Sequence, residues 1–212
     1  MGFVKLLSKK RDFLLQVYAL IMFQLAITAL MVWFVRQNSS IYAISRKLFF
    51  LWLILLLVLV YLLSTNYLPL PVKLILFTLM SVILGMNMIA ASRYVSVETI
   101  KSAIVATLGI FIAMSALALV LAGMGVDLSF MSFVLFVALL GLIIAWIVTI
   151  FIKPSNQMVR ALLMVGLVLF SIFIAYDTNV IIMTDTRDVI QGAVGLYLDI
   201  INVFSNLVGL DS

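Results

Sequence analysis

Asp177 and Asp199 are the only charged residues inside the last two long apolar stretches of the chain, Ala161–Thr184 and Val189–Leu210. A carboxylate deep in hydrocarbon is costly unless it is protonated, paired or turned to a polar cavity, so an ionisable group inside a membrane span marks a proton or ion site by default. Two such acids can share a proton, ligate a hard cation or relay protons. Around the second acid, Gly192, Gly195, Asp199, Asn202 and Asn206 recur at spacings of three and four, which places all five on one helical face. The other faces are apolar, so this polar face belongs inside a bundle. The glycines fit close helix packing. The amides of Asn202 and Asn206 fit either hydrogen bonds between helices or, with the carboxylates, the oxygen ligands that calcium takes. Asp177 and Asp199 are then the metal-facing groups. Two acids are too few for a tight cage, and weak binding is what conduction requires.

The two acids lie eleven residues either side of residue 188, in the polar run Asp185-Thr186-Arg187-Asp188 that should form a turn. At 1.5 Å per residue each carboxylate lies roughly 16 Å from that turn. The two then sit level on adjacent antiparallel helices. Like carboxylates in contact do not both ionise easily, so the pair should titrate as a unit around one shared proton.

The elements that must position them are membrane helices. The chain is 67% hydrophobic and 10% charged, with a mean hydropathy of +1.36, far more apolar than a soluble domain. Seven segments are long enough to cross a bilayer: Phe13–Val35, Leu48–Leu68, Val72–Ala91, Ser102–Ala122, Phe130–Ile152, Ala161–Thr184 and Val189–Leu210. The expectation is an all-α membrane protein, one transmembrane domain over residues 1–212 with no soluble module. The ten-residue alternation of a membrane barrel is missing. The first span is too long for a removable signal peptide, and Met1-Gly2 lacks the Ser or Thr of a myristoylation site, carrying Leu6 instead. Pro69 and Pro71 read as the connection after the second span, Gln16 and Gln24 as hydrogen-bonding groups toward neighbouring helices, and Trp33, Trp52 and Trp146 as span-end or lipid-facing aromatics.

Histidine and cysteine are absent. That excludes disulfides, thiolate or imidazole metal sites, Cys and Ser-His nucleophiles and a histidine pH switch. The net charge of +5 sits at the N-terminus and in short loops, where it suits lipid headgroups rather than nucleic acid. Lys5, Lys9, Lys10 and Arg11 favour a cytoplasmic N-terminus, but Arg36, Arg46, Lys47, Arg93, Lys101, Lys153 and Arg160 fall on the opposite side, so loop charge leaves the orientation open.

At the acids the sequence resembles a known family. Phe170-Ser171-Ile172-Phe173-Ile174-Ala175-Tyr176-Asp177-Thr178-Asn179 is similar to the sixth span of the Bax inhibitor family, also called the transmembrane Bax inhibitor motif family. Gly195-Leu196-Tyr197-Leu198-Asp199-Ile200-Ile201-Asn202-Val203-Phe204 resembles its most characteristic signature. The run from Phe13 to Leu20 with Gln24, and Asp127-Leu128-Ser129-Phe130, are weaker matches to its first span and to the loop before its fifth.

The resemblance implies a seven-helix bundle with the last helix central. It implies a calcium leak channel, not an enzyme, needing no cofactor. Its permeant ion would be calcium, its membrane the endoplasmic reticulum or Golgi in a eukaryote or virus and the plasma membrane in a bacterium. It also implies a pH-sensing role for Asp177 and Asp199, and an influence on calcium stores and cell death. Some members carry a basic residue in the second span that pairs with the acids, whereas that span is uncharged here; Lys73, Arg46 or Arg93 could replace it only if a helix end lies near the pair.

Competing classes are weaker. A retinal protein needs a lysine buried in a helix, and the lysines here lie at span edges or outside. A G-protein-coupled receptor is disfavoured by the absence of cysteine and of proline in the last span. An intramembrane aspartyl protease could share a proton between two acids, but it carries Gly beside the second, where Asp199 has Leu198 and Ile200. The alternative that survives is a proton-coupled cation transporter exchanging calcium for protons.

Overall fold

The computed structural model describes residues 3–92, 95–184 and 188–211. Among these, all regular structure is helical: α1 (Phe3–Gln37), α2 (Ser39–Lys47), α3 (Phe49–Ser64), α4 (Leu70–Ser92), α5 (Val97–Gly123), a 3-10 turn (Leu128–Met131), α6 (Ser132–Phe151), α7 (Asn156–Met183) and α8 (Val189–Asp211). Six helices are long and apolar enough to cross a bilayer, and a seventh span exists if α2 and α3, bent by 73° at Leu48, are counted as one. The all-α, multi-span architecture is therefore as expected. The most enclosed span is α8, with 56% of its apolar window buried against 11–33% in the other five. That agrees with a polar face turned inward.

Local chemistry sets the helix ends. Ser96 Oγ accepts from the Thr99 amide and Ser155 Oγ from the Met158 amide, capping α5 and α7. Gly125, at φ +80°, supplies the left-handed turn that follows α5. Asp127 accepts from the Ser129 amide and opens the 3-10 turn.

The second span is a correction. Its helix is Phe49–Ser64, 16 residues rather than Leu48–Leu68, or about 24 Å, short of the ~30 Å hydrocarbon core. Ser64 Oγ donates to the Val60 carbonyl and Thr65 Oγ1 to the Leu62 carbonyl, closing the last turn with side chains. Pro69 then accepts from the Val72 and Lys73 amides at the start of α4. Pro71 sits in that first turn, where a missing N–H costs nothing. The stretch between the first two spans, expected as loop, instead contains α2.

The chain divides into two compact units. One comprises Met1–Arg11, Val95–Thr186 and Leu198–Ser212. Here Leu135, Leu142 and Leu169 form a core joined by Trp146, Phe170, Phe173 and Tyr176. Trp146 thus packs against the protein rather than facing lipid alone. A second cluster joins Val95 and Ala103 to Val208, with Ile100, Phe204 and Leu207 against it. The other unit comprises Asp12–Tyr94 and Arg187–Tyr197; its buried residues include Val17 and Ile21 of α1, Phe77, Met80 and Ile83 of α4, and Tyr197 of α8. Residues 185–187 of the expected turn, and Arg93, lie outside the described residues.

Candidate functional site

Four consecutive residues near the end of α7 point in different directions, because each helical step turns about 100°. The Tyr176 ring packs edge-on to Phe173, centroids 6.4 Å apart. Thr178 Oγ1 lies 3.4 Å from Ser115 Oγ of α5. Asn179 is fully buried: its Oδ1 accepts from the Leu128 amide at 2.8 Å and its Nδ2 donates to the Val126 carbonyl at 3.0 Å, clamping the chain between α5 and α6 onto α7.

Between these anchors, the Asp177 side chain comes near enough to that of Asp199 for the two carboxyl groups to interact. An ionised carboxylate only accepts, so a hydrogen bond between the two groups would need a proton on one of them. Asp199 is 5% exposed. Its Oδ2 is inaccessible and has no partner among the described residues. The site therefore contains two neighbouring acids and one carboxyl oxygen without a partner among the described residues. Among the described residues no group of three or more acidic, His or Cys side chains gathers to hold a metal. The structure brings Asp177 and Asp199 near each other, and their equal spacing about residue 188 allows this without fixing the rotation of Asp177.

Asn202 and Asn206 behave differently from the interhelical reading. Their Nδ2 groups donate to the Leu198 and Asn202 carbonyls of their own helix, at 2.8 and 2.7 Å. Asn202 and Asn206 follow Asp199 by three and seven residues and so share its side of α8. A Cβ placed on Gly166 of α7 would lie 2.7 Å from Asn206 Oδ1, so that glycine makes room for the amide. Gly192 is buried and Gly195 partly buried in the first half of α8.

In the unit containing Tyr197, a buried polar network fixes the signature tyrosine. Tyr197 OH lies 2.6 Å from Thr28 Oγ1, and its ring meets Phe77 edge-on at 5.2 Å. Thr28 also reaches the Ser81 carbonyl, and Ser81 Oγ donates to Gln24 Oε1 at 2.8 Å. Gln24 thus bonds across helices as expected, whereas Gln16 is exposed.

Of the basic groups weighed as partners for the acids, Lys73 and Arg46 are among the described residues. Buried Lys73 is ion-paired with Asp188, which also accepts from the Ile190 and Gln191 amides and so caps α8. Arg46 is exposed on α2. Lys10, buried in α1, donates to the Thr184 carbonyl at the end of α7, where a cation complements the helix dipole.

The family model described as "Inhibitor of apoptosis-promoting Bax1" matches residues 10–210. The chain belongs to the Bax inhibitor family. Inner membrane protein YbhL of Escherichia coli K12 is 31% identical over 214 residues, covering 93% of this chain and 90% of that protein. Protein LIFEGUARD 4 of Arabidopsis thaliana is 29% identical over 203 residues, covering 92% and 82%. This Bax inhibitor family protein is integral to a lipid bilayer. Thr178, Asn179 and Ser115 are the site residues that sequence reasoning passed over. The first two follow Asp177 directly, but adjacent residues share no helical face, so a search for periodic polar positions does not find them.

Proposed function

We propose that this protein is a pH-sensitive calcium leak channel in which Asp177 and Asp199 act together as proton sensor and ion-attracting group. The observation that carries the reading is the proximity of two carboxyl groups, one of them buried, and one proton shared between them is part of the proposal. With the proton in place the acids hold α7 and α8 together. Losing it leaves two like charges in contact, which strains the helix pair and creates a place where a divalent cation is favoured. The amide oxygens of Asn202 and Asn206 extend the oxygen-lined face along α8. Calcium is the permeant substrate in this reading, and neither a cofactor nor a chemical reaction is needed.

The relative named as an inner membrane protein favours the plasma membrane over an internal one. The family description names Bax as what such proteins inhibit, and the content of calcium stores is the route by which we propose that this chain would bear on cell death. The test is calcium efflux from liposomes holding the purified protein, with no opposing ion gradient. A leak channel dissipates the calcium gradient under that condition. Flux only under an imposed proton gradient would instead establish the proton-coupled transporter, and flux equal to that of empty vesicles at every pH would reject both.

A further inference from the structure

We propose that α2 is an interfacial helix whose outward face, carrying Arg46 and Lys47, binds the phosphate headgroups of anionic phospholipids. Its inward face is settled by contact: Ser45 is buried, and its Oγ donates to the Met86 carbonyl of α4 at 3.1 Å. Ile41 and Leu48, four residues before and three after, are partly buried on the same side. The rest of the helix surface presents Ser39, Ser40, Ala43, Ile44, Arg46 and Lys47, all exposed. A nine-residue helix with this division has an anchored face and a cationic face.

Its placement follows from the connections. Only Asn38 separates α2 from α1, and only Leu48 separates it from α3, so α2 stays at the level where α1 ends and α3 begins. Because it is bent by 73° from α3, it runs nearly across the direction in which α3 enters the bilayer. Trp33, 61% exposed, and the exposed rings of Phe34 and Phe50 flank it in sequence on both sides. Exposed aromatics beside cations are the composition of a membrane–water boundary.

Charge then selects the occupant. From Phe13 to Val97 the chain contains no Asp or Glu; of the two acids in the same unit, Asp188 is engaged by Lys73 and Asp12 lies in the first part of α1, at the opposite end of that helix from α2. The two exposed cations therefore face a region whose own sequence supplies no counter-charge, and an anionic leaflet provides it.

The experiment uses a single-tryptophan protein retaining Trp33 (Trp52→Phe, Trp146→Phe) in liposomes of brominated phosphatidylglycerol or brominated phosphatidylcholine, with quenching of Trp33 as the readout. The expected result is an apparent affinity about fivefold higher for the anionic lipid at low salt, falling to parity in Arg46→Gln/Lys47→Gln and in high salt. Native mass spectrometry of the protein with all three tryptophans gives a second reading: phosphatidylglycerol should stay bound in preference to phosphatidylcholine, and the double substitution should abolish that preference. Equal quenching by the two lipids, or a preference that survives the double substitution, overturns the proposal.

Discussion

At the scale of single residues, Asp188 serves two neighbours with one carboxyl group. Burial alone would push it up, but the hydrogen bond and charge from Lys73 and the amides of Gln191 and Ile190 outweigh this and hold it below the usual carboxylate range. A group lowered in the folded state stabilises fully above its unfolded value, near 3.9, and that stabilisation is lost as pH falls through the folded value. Thermal stability in detergent should therefore fall below about pH 4. Asp188→Asn, which keeps the capping acceptor, should remove part of that acid sensitivity; an unchanged acid profile would show that the ion pair does not contribute. Lys73→Met should cost about 2 kcal/mol at neutral pH, less than for a fully buried pair because Asp188 is partly exposed. A thermal melt indistinguishable from wild type would contradict this. Asn179→Ala would leave the Leu128 amide and the Val126 carbonyl unpaired and should cost about 1–3 kcal/mol, read from the same melts. The level placement of Asp177 and Asp199 was legible in sequence because helical rise converts spacing directly into depth. The bonds of Asn202 and Asn206 were not, since a side-chain rotamer decides between a neighbour and the helix's own carbonyl.

At the scale of elements, close approach of helices is set by what a glycine leaves open. A Cβ on Gly85 of α4 would lie 2.7 Å from Met31 Cβ and 2.8 Å from the Thr28 carbonyl of α1, and neither atom can swing away. Gly85→Ala should cost about 1–3 kcal/mol and disturb the Thr28–Tyr197 contact, whereas Gly109→Ala, where a Cβ meets nothing within 4 Å, should be neutral or slightly stabilising. Comparable losses in both variants would mean that the crossing is not tight at Gly85. Six spans were legible because runs of about 20 apolar residues have few alternatives in a bilayer. The helix α2 was not, because Ser39, Ser40, Ser45, Arg46 and Lys47 make its composition that of a loop, and only docking on α4 shows which face is inward. The end of α3 was misplaced for a related reason: Ser64 and Thr65 close it through backbone contacts that hydropathy does not register.

At the scale of the whole molecule, an integral membrane protein of the Bax inhibitor family carries one acid, Asp199, in its most enclosed helix and a second, Asp177, on the helix before it. The chain has no histidine, and these two acids are the proposed pH sensor. Asn202→Ala removes an oxygen from the same face but no titrating group, so it should change the amount of calcium flux while leaving its pH dependence in place. Asp199→Asn keeps the shape and a hydrogen-bond donor but removes one titrating acid. The measurement that tests the central claim most directly is calcium efflux from liposomes between pH 6 and pH 8, with wild type, Asp199→Asn and Asn202→Ala side by side. The account predicts a pH-dependent flux in the wild type and in Asn202→Ala and a flattened profile in Asp199→Asn; a wild-type pH profile in Asp199→Asn would contradict it.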